Sequence, residues 1–279
     1  MSKLHISPTP HIHQPGSSTR RIMLDVIIAL LPAAVAGVVI FGLSAVWTIL
    51  TCVVAAVLAE FLFSLCTKRK QTIGDLSAVV TGLLLALNLS TAVPLWQCAI
   101  GSVFAIVIVK GCFGGIGKNL VNPAIAARVF LLLCFTSTVA GGAAPVADLT
   151  ATATPLVTIN QGAAAAKAIS LSSLFFGNYG GAIGETCTIA LLLGFVYLVV
   201  RRVIKWYVPA SFAATVFACA FFFGGFDAAY ALQHVLAGGL LLGAIFMATD
   251  YVTTPATRWG RVLFCVGAGI LTYLIRQFG

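Results

Sequence analysis

The sequence predicts an all-α protein, a polytopic bundle of transmembrane helices, and three observations lead to this fold class. First, 60% of the 279 residues are hydrophobic and only 8% are charged, whereas about a quarter of the residues in a soluble domain are charged. Second, apolar runs long enough to cross about 30 Å of hydrocarbon recur along the chain. Third, basic residues cluster in every second connection between these runs, as they do in multi-pass membrane proteins.

Nine apolar runs are predicted to be spans. They lie near 22–42, 44–66, 76–93, 96–112, 121–136, 186–203, 207–224, 229–248 and 260–277. The runs divide the chain into a tail (1–21), a first membrane repeat (22–136), a long polar loop (137–184) and a second membrane repeat (185–279). The loop is rich in Ala, Thr, Ser and Gly, and loops of this length are usually functional or disordered.

The basic residues indicate which side of the membrane each connection faces. Those that share the side of the tail are Arg20, Arg21, Lys68, Arg69, Lys70, Lys110, Lys118, Arg201, Arg202, Lys205, Arg258 and Arg261. By the positive-inside rule this side is the cytoplasm, so the loop is predicted to be external. The external side keeps only Lys167 and Arg276. Because most basic residues lie in predicted cytoplasmic connections, the net charge of +9 reflects the orientation of a membrane protein. No nucleic-acid partner is expected.

An internal repeat relates the third and eighth predicted spans. The third contains a Gly-Leu-Leu-Leu string at 82–85 and the eighth a Gly-Leu-Leu-Leu string at 239–242, and each string is followed by a polar break and a proline. In the predicted topology the two copies run in opposite directions. Inverted repeats with broken helices are typical of transporter folds that bind ligands near the midplane.

Ionisable residues within the predicted spans need partners, because charges at membrane depth are costly. We expect Glu60 to reach the membrane surface or to pair with Lys68, and Asp25 is one possible partner for Arg128. His234 is predicted to be a packed histidine. The eight cysteines occur singly, without a Cys-x-x-Cys pair, so neither a disulfide framework nor a metal site is expected.

Two segments of the loop invite a functional interpretation. The stretch 148–156 reads Asp-Leu-Thr-Ala-Thr-Ala-Thr-Pro-Leu, which on its own is a low-complexity linker. The glycine-rich turn 180–184 leads into the sixth span, where a helix N-terminus favours an anion. That turn is either a phosphate site or an ordinary helix start.

The chain resembles the D subunits of Rnf electron-transport complexes along nearly its whole length. The resemblance rests on the opening segments 7–11, 19–26 and 30–33, and on Gly-Asp-Leu-Ser at 74–77, Phe-Gly-Gly-Ile-Gly-Lys-Asn at 113–119, Asn-Pro-Ala at 122–124, Gly-Glu-Thr-Cys at 184–187 and Thr-Pro-Ala-Thr-Arg-Trp-Gly-Arg at 254–261. The stretch 151–154 resembles the family motif Ser/Thr-Gly-Ala-Thr, with Ala151 and Thr152 departing from its first two positions.

The resemblance implies FMN joined by a phosphoester to Thr154, with Thr152 as a weaker candidate. Around the cofactor we expect Gly184, Glu185 and Thr186. Polar residues at the predicted helix breaks are candidates for a second flavin, riboflavin, or an ion path: Asn88, Asn119, Asn122 and Asp250. The family also implies a tenth helix beyond Gly279.

The resemblance further implies a function and partners. The chain is expected to be a redox subunit of an ion-translocating ferredoxin:NAD⁺ oxidoreductase in the bacterial inner membrane, coupled to Na⁺ or H⁺ transport. Its expected partners are the A, B, C, E and G subunits of the Rnf complex, which include a second external flavoprotein, and a flavin transferase. Two alternatives stay open: the B subunit of the Na⁺-translocating NADH:quinone reductase, which the short tail disfavours, and a flavin-free channel or transporter similar to urea transporters.

Overall fold

The computed structural model describes residues 5–6, 12–13, 18–69, 71–140, 155–160, 166, 169–177 and 179–278. Within these residues the regular secondary structure is helical, apart from one antiparallel pair of two-residue strands, β1 (His5–Ile6) and β2 (Ile12–His13). The predicted all-α class is therefore confirmed.

The first half of the bundle contains five main helices. They are α1 (Thr19–Phe41), α2 (Leu43–Cys66), α3 (Ser77–Asn88), α4 (Leu95–Val103, continued by a π-helix, Phe104–Gly111) and α5 (Pro123–Cys134). A 3₁₀ turn, Ile73–Asp75, precedes α3. Asn122 caps α5, because its Oδ1 accepts a hydrogen bond from the amide of Ala124 at 3.0 Å, and Pro123 occupies the first turn, where its missing N–H costs nothing.

Short helices connect the two halves, and five further helices form the second half. The connecting helices are α6 (Thr136–Val139), α7 (Pro155–Asn160) and α8 (Leu171–Phe176). The second half contains α9 (Thr188–Val200), α10 (Tyr207–Phe223), α11 (Ala228–Leu236), α12 (Leu240–Leu242, continued by a π-helix, Gly243–Met247) and α13 (Arg258–Phe278).

Each of the nine predicted spans contains a helix, but the helices differ in length. By length and composition α1, α2 and α13 can each cross a membrane, and α11 with α12 meets the same criterion as a pair bent by 65°. The other apolar helices have 10 to 17 residues. The third span ends at Asn88 and not near residue 93, because the polar break that follows it stops the helix. The chain is a multi-pass membrane protein with broken helices.

Close helix contacts occur within each half and, between α1 and α9, across the two halves. Helix α2 packs on α3 and α4, α1 on α9, and α10 on α13. A Cβ atom at Gly194 would lie 2.2 Å from the carbonyl oxygen of Ala29, and one at Gly82 would lie 2.8 Å from that of Cys52. Glycine is therefore required at both contacts, in agreement with the small residues that let membrane helices approach closely.

The buried charges pair differently from the sequence-based expectations. Glu60 is buried and pairs with Lys110 at 2.7 Å, not with Lys68. Asp25 pairs with Arg201 at 3.3 Å and accepts a hydrogen bond from the hydroxyl of Tyr197 at 3.0 Å, so it is not the partner of Arg128. Both predictions were wrong because they considered neighbours in sequence or depth, whereas helix packing selects the partner.

Candidate functional site

Two pockets lie at opposite ends of α3. The loop-side pocket, next to the segment 137–184, has a volume of about 460 Å³. The tail-side pocket, bordered by Thr19 after the N-terminal tail, has a volume of about 380 Å³. Both volumes fall in the range of small-molecule sites. Asn88 at the end of α3 lines the loop-side pocket, and Ser77 at its start lines the tail-side pocket.

The eighth predicted span runs between the same two pockets in the opposite direction. Gly238 and Gly239 line the loop-side pocket, and Asp250 lines the tail-side pocket. The two broken segments also touch, since Nδ2 of Asn88 lies 3.9 Å from Sδ of Met247. The third and eighth predicted spans therefore run in opposite directions between the pockets, as predicted, and their relation as a repeat stays a prediction.

The chain enters the loop-side pocket immediately after the predicted attachment motif. Thr150, Thr152 and Thr154 lie outside the described residues, which resume at Pro155. Pro155 begins α7, is buried, and lines the pocket together with Leu156. Other groups with polar or charged side chains in the lining are Asn88, Arg128, Tyr179, Glu185, Thr272 and Arg276.

Arg276 is anchored at the edge of this pocket by two neighbouring elements. Its Nη1 donates a hydrogen bond to the carbonyl oxygen of His234 at 2.7 Å. Its own carbonyl oxygen accepts a hydrogen bond from Nδ2 of Asn160, the last residue of α7, at 2.5 Å. His234 is fully buried between the rings of Tyr230 and Tyr273, at centroid distances of 4.6 and 5.7 Å, so the predicted packed histidine is confirmed.

The break between α11 and α12 makes room for charged groups. Gly238 has a φ of +68°, and a Cβ atom there would lie 3.2 Å from Nη2 of Arg276. A Cβ atom at Gly239 would lie 2.6 Å from Oε1 of Glu185. Because Gly238 and Gly239 have no side chains, the guanidinium of Arg276 and the carboxylate of Glu185 both lie close to the backbone between α11 and α12.

The turn 180–184 is fixed by backbone hydrogen bonds. The amides of Ile183 and Gly184 donate to the carbonyl oxygens of Leu89 and Leu87 at 3.0 and 2.8 Å, and the amide of Glu185 donates to Ala182 at 3.1 Å. These three donors are occupied, and α9 begins only at Thr188. A phosphate in this pocket would therefore depend on the arginines and on the remaining amides of the turn.

The predicted cofactor residues differ in their relation to the pocket. Glu185 lines it, whereas Gly184 and Thr186 are not among its lining residues. Thr186 is fully buried, and among the described residues its hydroxyl has no hydrogen-bond partner. The hydroxyl of Tyr179 donates to the carbonyl oxygen of Glu185 at 2.9 Å, and burial, followed by the charge of Glu185, raises the pKa of Tyr179. Tyr179 is therefore a neutral hydrogen-bond donor at physiological pH.

Three of the four polar residues predicted at helix breaks line the tail-side pocket. Asn119, Asn122 and Asp250 all line it, while Asn88 lines the other pocket. These side chains also organise the loops, since Nδ2 of Asn119 donates to Val121 at 3.0 Å and Oδ1 of Asp250 accepts from the amide of Val252 at 3.3 Å.

Sequence reasoning missed Arg276, Tyr179 and the role of Gly238 and Gly239. One signal was present, because Arg276 is an isolated basic residue on a side that otherwise carries almost none. Its proximity to α7 depends on tertiary packing. Among the described residues, no cluster of three or more His, Cys, Asp or Glu side chains is arranged to hold a metal ion.

Apolar helices that include a pair bent by 65°, with pockets at both ends of α3, define the class of this chain, a polytopic bundle of membrane helices. The chain belongs to the NQR2, RnfD, RnfE family, whose model matches residues 5–279.

Several curated relatives carry names that describe redox complexes. The chain is 43% identical to the D subunit of the Na⁺-translocating ferredoxin:NAD⁺ oxidoreductase complex of Acetobacterium woodii, over 99% of this chain and 86% of the relative. It is 39% identical to the D subunit of the proton-translocating ferredoxin:NAD⁺ oxidoreductase complex of Clostridium ljungdahlii, over 98% and 86%. It is 32% identical to the D subunit of the ion-translocating oxidoreductase complex of Methanosarcina acetivorans, over 100% and 87%.

Proposed function

We propose that this chain is the D subunit of an ion-translocating ferredoxin:NAD⁺ oxidoreductase and carries FMN through a phosphoester on Thr154, with the flavin in the loop-side pocket. The observation that carries this proposal is the position of Pro155 and Leu156 in the pocket lining. Consecutive Cα atoms are about 3.8 Å apart. A cofactor esterified to residue 154 would therefore start next to the pocket.

The residues of the pocket fit FMN. Two guanidinium groups, Arg128 and Arg276, offer donors for phosphate and ring oxygens, and the hydroxyl of Tyr179 adds a polar group. The glycine pair 238–239 presents backbone without side chains. When bound, the flavin supplies electron transfer, and the protein binds and orients it and tunes its electronics. The tether keeps the cofactor at an effective concentration on the order of mM.

The attachment site is tested by two matched threonine variants. Thr154→Ala should abolish the in-gel fluorescence of the denatured chain, while Thr158→Ala, four residues further along in α7, should retain it. Peptide mass spectrometry should place the flavin phosphate on Thr154. Location of the phosphate on Thr150, Thr152 or Thr158 would refute the assignment, and a chain without any covalent flavin would favour a flavin-free channel or transporter.

The orientation and the partners belong to the same proposal. We infer a bacterial inner membrane location with the tail in the cytoplasm and the loop outside. A flavin on one face is separated from the other by about 30 Å of hydrocarbon, so electrons must pass through partners. These are the A, B, C, E and G subunits of the Rnf complex, with a second external flavoprotein among them, and a flavin transferase attaches the FMN.

The tail-side pocket is proposed to serve a second ligand, riboflavin or the coupling ion. Its support is that Asn119, Asn122 and Asp250 share one lining. Acid extraction of the purified complex should release riboflavin if the pocket holds a flavin, and Asn119→Leu should then reduce the yield. If the pocket serves the ion path, Asp250→Asn should lower ion transport without changing the flavin content. Variants that change neither quantity would exclude this role.

A further inference from the structure

The loop-side pocket carries an excess of positive charge. Its described lining contains the guanidinium groups of Arg128 and Arg276 and one carboxylate, Glu185. Among the described residues, the ion pairs within 4.0 Å join Lys110 to Glu60 and Arg201 to Asp25. Neither pocket arginine therefore has a carboxylate at ion-pair distance in that part of the chain.

Arg276 is the better positioned of the two guanidiniums. The carbonyl oxygen of His234 holds one of its nitrogens at 2.7 Å, and the backbone of Gly238 is close to another. These contacts fix the side chain in the last turns of α13 without neutralising it, because a carbonyl oxygen carries no net charge. The positive charge remains available to a ligand in the pocket.

The helix that follows the proposed attachment residue is hydrogen-bonded to Arg276. Helix α7 starts at Pro155, directly after Thr154, and ends at Asn160, whose Nδ2 donates to the carbonyl oxygen of Arg276 at 2.5 Å. Leu156 also approaches the glycine pair, since a Cβ atom at Gly238 would lie 3.6 Å from its Cδ2. The described helix that follows residue 154 therefore contacts Arg276 through its last residue, Asn160, and approaches Gly238 through Leu156.

We propose that Arg276 sets the reduction potential of the flavin in the loop-side pocket, with Glu185 acting against it. This inference rests on the proposed function. Reduction adds negative charge to the flavin ring, and a nearby fixed cation stabilises that charge more than it stabilises the oxidised ring. Arg276 therefore favours the reduced form, and the carboxylate of Glu185 favours the oxidised form.

Opposite shifts of the midpoint potential test the proposal. The full chain is purified with its covalent flavin and titrated with dithionite in the presence of mediator dyes. Arg276→Gln should lower the equilibrium constant for one-electron reduction about tenfold, which lowers the midpoint potential by about 59 mV. Arg276→Lys keeps the positive charge and should have a potential close to that of the wild type. Glu185→Gln should shift the potential in the opposite direction. Arg261→Gln, at the other end of α13, is the matched control and should leave the potential unchanged.

The outcomes separate this inference from the proposed function. A wild-type chain without covalent flavin would refute the proposed function itself. A flavinylated chain in which Arg276→Gln keeps the wild-type potential would refute only the role of Arg276. If Arg276→Gln fails to fold because the contact with His234 is lost, Arg276→His replaces it, because an imidazole can still donate to that carbonyl oxygen and is neutral at alkaline pH. At alkaline pH its potential should fall below that of the wild type, and an unchanged potential would refute the role of Arg276.

Discussion

The ammonium group of Lys110 lies 2.7 Å from Oε1 of Glu60, and the two side chains are only 6% and 5% exposed. The same ammonium donates to Oγ of Ser77 at 2.5 Å, and the hydroxyl of Thr72 donates to Oε1 of Glu60 at 2.5 Å. This network joins α2, the start of α3 and the π-helix that continues α4. Removing one member of a buried pair leaves a charge without compensation, which is far more costly than the pair itself.

The first prediction concerns the stability that this pair provides. Lys110→Met should destabilise the chain by about 3–5 kcal/mol, measured by thermal unfolding in detergent. The double variant Glu60→Gln/Lys110→Met should recover much of this loss, because it leaves no buried charge. The control is Lys205→Met, which removes an exposed lysine, leaves no buried charge without its partner, and should change stability by at most about 0.5 kcal/mol. A double variant as unstable as Lys110→Met would contradict the prediction.

The second prediction concerns the contact between α1 and α9. Gly194→Ala places a methyl group 2.2 Å from the carbonyl oxygen of Ala29, so the helices must separate at a cost of about 1–3 kcal/mol. Gly267→Ala in α13 is the matched control, because a Cβ atom there meets nothing within 4 Å. It should be neutral or stabilising, since Ala is a better helix former than Gly. Equal melting temperatures for the two variants would show that the contact is not close.

The third prediction concerns the sidedness of the loop. In a background from which the native cysteines are removed, Ser172→Cys in α8 should react with an impermeant maleimide added to intact cells. Thr67→Cys, after the end of α2, should react only after lysis. Both positions are exposed, so accessibility does not differ between them. The reverse labelling pattern would invert the topology.

The fourth prediction is that the chain has no activity when it is isolated. Its eight cysteines occur singly along the sequence, whereas an iron–sulfur cluster is usually held by four thiolates, so a relay across the membrane must come from other subunits. The purified flavinylated chain should show neither ferredoxin:NAD⁺ activity nor ion uptake in liposomes. Adding the remaining subunits should restore both, and activity in a preparation shown to be free of them would refute the relay argument.

The sequence-based predictions agree most closely with the structure where local composition determines whether a segment forms a helix. The nine apolar segments each contain a helix, because the hydrophobic length of a segment and its turn residues are local properties. The opposite orientation of the third and eighth segments could also be predicted, since the order of spans determines it. The predicted ends of the third and sixth spans were less accurate, because the sequence did not reveal that the carbonyl oxygens of Leu87 and Leu89 accept hydrogen bonds from the turn 180–184.

The sequence by itself determined the class of protein and the opposite directions of the third and eighth predicted spans, and it contains the motif that predicts Thr154 as the attachment residue. Only the tertiary structure decided which polar residues come together: Arg276 contacts α7 and lines the same pocket as Glu185, Asp25 pairs with Arg201, and Lys110 pairs with Glu60. The physical reason is that a charge in an apolar bundle takes the partner that packing brings within hydrogen-bond distance. That partner lies 50 residues away for Lys110 and 176 for Arg201, beyond the range of any local pattern.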